Sequence, residues 1–316
     1  MLDDRPLGTL QVDVDELWVY YESIGRRAPD DTPPLVYRQG IPRLLDLFDR
    51  FGIRATFFVC GRDLPAQAGV VANMVRRGHE VANHSDTHRN GFARLSQDEK
   101  RADIAAAGEL IADATASRPL GFKSPGFSFS PDLLDVLSGL GYLYDSSLLP
   151  TPYASLLRGM QRVLSHGAVD PTHYGRTSNG LAPLLPYHPD LAKPYRPARC
   201  PDRKSASSLQ RAPAIWEAPV TTMPVLRLPV HSTFVLSAGR WLFDVGMSMA
   251  RARGVPVNYL LHGADVVDGV SDPVLASYRF LSQSWDAKRP LYEHILYSLS
   301  SAYRLVPTCE FVSAFA

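Results

Sequence analysis

The chain reads as an α/β protein built on a parallel sheet, and three features of the sequence predict it. Short apolar runs at 10–14, 55–60, 79–83, 120–122 and 257–261 each lead into polar or charged residues, as buried strands ending at a sheet edge do. Segments between them repeat apolar residues at helical spacing, for example Ile41, Leu44, Leu45, Phe48 and Phe51. Glycines follow those segments at positions 52, 78, 141 and 254, where helices commonly stop. Strands alternating with helices of this length form βα units. Periodicity alone leaves a closed barrel and an open doubly wound sheet equally available.

Taken in order, an acidic strand end (Asp13, Asp15) is followed by 16–39, a stretch rich in aromatics and prolines that reads as a loop. Rings there, Trp18 and Tyr20 among them, would either stack on a ligand or pack the loop down. A helix over 40–52, with Pro42 in its first turn, precedes a strand at 55–60; a second helix at 65–77 leads into the 79–83 strand. Ser96 and Glu99 make a capping box for a third helix whose Ile104, Ala107, Ile111 and Ala114 form one stripe. Strand 120–123, a helix opened by Ser130 and Pro131, and strand 142–145 repeat the unit. The regularity then breaks over 148–214, too long for an ordinary connection. Within that insertion 153–164 is amphipathic with a basic polar face, suited to its own domain, a second subunit or an anionic membrane surface. His166, His173 and His188, without ligand spacing, read as loop residues. The pattern resumes at 215–219, and 272–283 and 288–301 look helical, with 303–311 as a closing strand. No repeat or linker divides the chain, so 1–316 reads as one domain carrying an insertion.

A net charge of +1, with 45% hydrophobic and 21% charged residues, describes a chain able to bury a core and excludes a broad basic field for nucleic acid. The three cysteines, Cys60, Cys200 and Cys309, are too widely spaced for a disulfide framework or a thiolate zinc site. The first residues hold no basic and apolar leader, and no apolar run is long enough to span a bilayer, so the expected compartment is the cytoplasm, with peripheral membrane contact through 153–164.

The chemistry gathers at strand ends. His84 and His88, in Val-Ala-Asn-His-Ser-Asp-Thr-His, supply two imidazoles of a tetrahedral zinc shell. The acidic end at Asp13 and Asp15 is the obvious source of a third ligand. Lys123, beside the Pro125-Gly126 turn, and His262 close two further strands. In α/β folds such ends are where catalytic groups collect.

In combination these pieces resemble the NodB-homology polysaccharide deacetylases, carbohydrate esterase family 4. The pieces are Asp13 and Asp15, His84-Ser-x-x-His88, Phe122 to Gly126, Tyr144-Asp-Ser-Ser147 and Leu261-His262, in the family's order. The resemblance implies a distorted (β/α) barrel with a long irregular insertion. It further implies a zinc-dependent hydrolase with Asp15, His84 and His88 on the metal, Asp13 as base and His262 as acid or oxyanion stabiliser. Lys123 stands where the family usually has an arginine tethering the base, and keeps its charge without the bidentate fork. Trp18, Tyr20, Pro125, Asp145 and Asp265 are expected around the substrate. The spaced Asp-Val-Asp resembles the subset acting on lipid-linked sugars and cyclic amides. The expected reaction removes an acetyl or formyl group from an amino sugar on a lipid or nucleotide. Hydrolysis of a small cyclic amide, and silent carbohydrate binding, are the alternatives.

Overall fold

A computed structural model describes residues 4–165, 169–198 and 215–316; His166 and Cys200 lie outside them. The first half runs β1 (Leu7–Val14), α1 (Leu17–Glu22), α2 (Ile41–Phe51), β2 (Thr56–Val59), α3 (Leu64–Arg76), β3 (Glu80–Asn83), α4 (Gln97–Thr115), β4 (Gly121–Phe122), α5 (Pro131–Gly139) and β5 (Tyr144–Asp145). The second runs α6 (Ala154–Ser165), β6 (Trp216–Glu217), α7 (Ser232–Ala238), α8 (Arg240–Ala252), β7 (Val257–His262), α9 (Arg279–Ser282), α10 (Trp285–Ala302), β8 (Arg304–Leu305) and α11 (Thr308–Ser313). The strands lie in the order β6-β5-β4-β3-β2-β1-β7, with β8 beside β1, and every pairing is parallel.

This sheet curls into a distorted barrel. Its seam falls between β6 and β7, where the segment just past β6 supplies the closing bonds. Thr221 N–H donates to Asn258 O at 2.9 Å, and Asn258 Nδ2 donates to the carbonyls of Ala218 and Pro219 at 3.0 and 3.2 Å. Alternation along β1 sorts its side chains. Leu10, Val12 and Val14 join the large apolar cluster with α2 and α10, whereas Thr9 and Gln11 reach Thr308 and Ser146 across a polar barrel interior. Asp13, next on that inner face, emerges at the carboxyl end.

The helix starts and stops follow the sequence closely. Gly52 and Gly78 have φ of 64° and 82°, and Ser96 and Glu99 complete the capping box. Three expectations need correction. Residues 16–39 are not an open loop: the Glu16 carboxylate accepts the N–H groups of Leu17, Val36 and Tyr37, drawing α1 and its aromatic rings into the core. Residues 272–283 are not one helix, because Asp272 Oδ1 takes the N–H groups of Val274 and Leu275 in a tight turn and Tyr278 is extended. The closing strand at 303–311 shrinks to β8, since Pro307 ends the ladder and Thr308 N–H turns to Thr56 Oγ1 to begin α11.

One core histidine yields a stability prediction. His79 Nδ1 accepts the Ala55 N–H at 3.1 Å between the rings of Phe48 and Phe57, and burial pushes its pKa from 6.5 down to about 4. Between those values the unfolded chain binds a proton that the folded chain refuses, so stability falls as pH drops through that window. The expected loss is about 2 kcal/mol by denaturant unfolding between pH 7 and pH 4. His79→Phe should be less stable at pH 7 yet lose this histidine's share of the slope.

Candidate active site

The His-Ser-x-x-His turn is built by its own polar groups. His84 follows β3 and donates Nδ1–H to Lys123 O at 2.7 Å, which fixes the ring's orientation and turns Nε2 toward Asp15. Ser85 and His88 sit at φ of 68° and 45°, a left-handed conformation rare for such residues. Hydrogen bonds hold them there: Ser85 N–H donates to Asn83 Oδ1 at 2.8 Å, and His88 N–H donates to Ser85 Oγ at 2.9 Å. From α4, the Asp103 carboxylate accepts the N–H groups of Asp86 and Thr87 and pins the turn from outside.

Asp15 meets both imidazoles. Its Oδ1 lies 3.4 Å from His84 Nε2 and 3.4 Å from His88 Nε2, and that buried oxygen has no hydrogen-bond partner among the described residues. Ligand atoms about 2.0–2.2 Å from a tetrahedral zinc centre stand about 3.3–3.6 Å apart, so the spacing fits one shared ion. The charges fit as well. Burial pushes the Asp15 carboxyl up, but His88 and His84 outweigh it and hold the group below the usual carboxylate range. Burial dominates at His88 and holds its pKa below the ordinary value. An ionised carboxylate and imidazole nitrogens form a hard-to-borderline donor set suited to a divalent metal.

Asp13 lies beside this trio. Lys123 Nζ donates to its Oδ1 at 2.7 Å, with both side chains buried, and Asp13 Oδ2 is 4.0 Å from His84 Nε2. Lys123 Nζ also stands 4.4 Å from the centre of the Phe58 ring. Lysine therefore faces the acid. The strand register pairs Asp13 with His262 on β7, whose Nδ1 approaches Thr233 Oγ1 at 3.4 Å and whose N–H donates to Asp265 Oδ2 at 2.8 Å. All six groups, Asp13, Asp15, His84, His88, Lys123 and His262, border one cavity of about 610 Å³.

The residues expected around a substrate divide. Tyr20 lines the cavity. Trp18 does not: its indole N–H donates to Asp63 Oδ1 at 2.9 Å and its ring edge backs His88, so it buttresses the Asp15, His84 and His88 trio from behind. Pro125, Asp145 and Asp265 are buried away from the cavity. Asp265 is spent on the His262 N–H, and Asp145 accepts from Ser147 Oγ at 2.6 Å opposite Glu217 on β6. Burial and the Asp145 charge push the Glu217 carboxyl well up.

Two cavity histidines escape the sequence reading. His173, taken for a loop residue, lines the cavity and packs so closely on Gly126 that a Cβ there would stand 2.3 Å from its Nδ1. Arg158 of α6 fixes that loop by donating to the carbonyls of His173 and Gly175 at 2.8 and 2.9 Å, so this arginine of the basic face turns onto its own domain while Arg162 stays exposed. His231, at the start of α7, is the second. Neither sits in a motif, and only the fold brings them here.

Residues 30–144, which include His84, His88 and Lys123, match the family model for polysaccharide deacetylase. This stretch of the chain is thus similar to the polysaccharide deacetylases. Among curated members, the peptidoglycan deacetylase of Helicobacter pylori is 33% identical over 148 residues, 45% of this chain and 50% of that protein. A peptidoglycan-N-acetylglucosamine deacetylase of Bacillus cereus is 29% identical over 113 residues, 36% of this chain and 51% of that protein. The chain thus spans about half the length of these two relatives. A crystal structure of a Mycobacterium smegmatis protein attributed to the polysaccharide deacetylases superposes with a TM-score of 0.61 over 99% of this chain and 91% of the other at 14% identity, which establishes a shared fold.

Proposed function

We propose that this protein is a zinc-dependent hydrolase that removes an acetyl or formyl group from the nitrogen of an amino sugar carried on a lipid or a nucleotide. One observation carries the reading: Asp15 Oδ1 lies 3.4 Å from Nε2 of both His84 and His88, and the three ligand atoms gather within 4.8 Å of one another directly beside the buried Asp13–Lys123 pair. An ion held there would supply Lewis acidity, drawing charge from the acyl carbonyl and acidifying water. The protein's own groups do the rest. Asp13 takes the proton of the attacking water, Lys123 holds that carboxylate in place, and His262, on the neighbouring strand, gives a proton to the departing nitrogen. The family's curated relatives, named as deacetylases of peptidoglycan and chitooligosaccharide, support an N-acyl sugar as the substrate class.

Support for a lipid carrier comes from the cavity wall. Leu157 and Met160 of α6 line it, and Leu156, Met160 and Val163 continue outward at 61%, 51% and 72% exposure. We place the reaction in the cytoplasm, where thiols such as Cys60 and Cys309 persist unpaired, with α6 touching the membrane surface. Among the described residues no helix is long and apolar enough to cross a membrane. A cavity of about 610 Å³ exceeds what a small cyclic amide needs, and no feature of the site favours that alternative.

Stripping the purified protein with a chelator should abolish hydrolysis of N-acetyl and N-formyl amino sugars, and one equivalent of Zn²⁺ should restore it. Equal rates in stripped and loaded protein would refute the reading. Sedimentation with anionic liposomes separates the carriers: binding that is lost in Leu156→Glu/Val163→Glu supports the lipid, whereas a wild-type protein that stays in the supernatant leaves the nucleotide.

A further inference from the structure

His231 plays no part in the chemistry above, yet the structure aims it into the same cavity. It is 3% exposed, and among the described residues neither ring nitrogen has a hydrogen-bond partner. Its backbone carbonyl starts α7 by accepting the N–H groups of Phe234 and Val235, so the helix does not require the imidazole. The ring stands edge-on to Phe234 with centroids 4.7 Å apart, 6.1 Å from the Phe127 ring, and 6.0 Å from His262. Thr233, two residues on, is the group beside His262 Nδ1, so one short segment places both neighbours of the proposed acid.

A buried polar side chain without partners is costly unless something in the cavity completes it. Burial drives the His231 pKa well below the ordinary value, and the charges of His262 and Lys123 reinforce that, so the ring stays neutral. A neutral imidazole offers one N–H donor and one bare acceptor nitrogen. A sugar hydroxyl both gives and takes a hydrogen bond at a single oxygen, which matches this pair, and the flanking phenyl rings suit the apolar face of a pyranose.

We propose that His231 is a sugar-binding residue of this site, exchanging hydrogen bonds with a ring hydroxyl of the substrate between Phe127 and Phe234 and beside His262. The proposal rests on the amino-sugar reading for its substrate class but not on the hydrolysis itself. It can therefore be tested by binding alone. N-acetylchitotriose is titrated calorimetrically into zinc-loaded Asp13→Asn protein, in which the probe survives, with and without His231→Phe and His231→Asn. The phenylalanine fills the same space without polar atoms; the asparagine restores a donor and an acceptor. The expected result is a rise in Kd of about tenfold for His231→Phe, the scale of one lost hydrogen bond, and recovery to within about threefold for His231→Asn. Kinetics on the otherwise unaltered enzyme should show the same substitution raising KM more than it lowers kcat. Unchanged Kd in His231→Phe, an asparagine no better than phenylalanine, or no binding of the trisaccharide at all overturns the proposal. Binding that depends on His231 without any turnover in the unaltered enzyme would instead overturn the proposed hydrolysis and leave this residue's role standing.

Discussion

Asp15→Ala should lose the bound metal and, with it, about 10³-fold or more in kcat/KM, because a Lewis acid contributes several kcal/mol to an acyl transfer and each 1.4 kcal/mol is tenfold. The size follows from the geometry. Asp15 Oδ1 is 3.4 Å from both imidazole nitrogens, so it is the contact that joins His84 and His88 into one site. It is also the ligand that brings negative charge, and without it a divalent ion would face only neutral nitrogens in a buried setting. Asp15→Asn should fall between alanine and wild type in affinity, since an amide oxygen keeps the reach and loses the charge. Metal content after gel filtration and hydrolysis of an acetylated amino sugar are the paired measurements. A variant that retains about one metal per chain and wild-type turnover would remove Asp15 from the ligand set.

Much of this site could be read before folding because its parts lie at strand ends, and strands of a parallel barrel all end at the same rim. Asp13, Lys123 and His262 come from three strands far apart in sequence, yet each follows an apolar run that fixes where it must emerge. The turn itself is held partly by local groups, since Ser85 accepts the His88 N–H, and partly by Asp103 on α4, which spacing does not reveal. His173 and His231 were not legible, for they lie on irregular chain whose path is set by distant contacts such as Arg158 with two carbonyls or Thr221 with Asn258. Trp18 misled in the opposite sense. An aromatic ring just past a metal ligand reads as a sugar platform, but Asp63, 45 residues on, captures its N–H and turns the ring behind His88. The two-residue strands β4, β5 and β6 show the limit of periodicity, since β4 and β5 are fixed by strands on both sides and β6, at the seam, by β5 and a bridge from Tyr187.

Lys123→Met is expected to cost both fold and function, and a second substitution should separate the two. The ammonium is 1% exposed, 2.7 Å from Asp13 Oδ1, and burial holds its pKa below the ordinary lysine value even though Asp13 pulls the other way. Methionine leaves the Asp13 carboxylate buried without this counter-charge, and breaking one side of such a pair costs about 3–5 kcal/mol. Hydrolysis should fall by about 10²-fold or more, since a base that has lost the ammonium holding it is misaimed. In Asp13→Asn/Lys123→Met the uncompensated charge is gone. That double variant should recover most of the lost stability in a denaturant titration while remaining inactive, because no group is left to take the water's proton. Were the double variant no more stable than Lys123→Met alone, the lysine's contribution would lie in packing against Phe58 and not in its charge. Were Lys123→Met fully active, the Lys123–Asp13 contact would have no part in aiming the base.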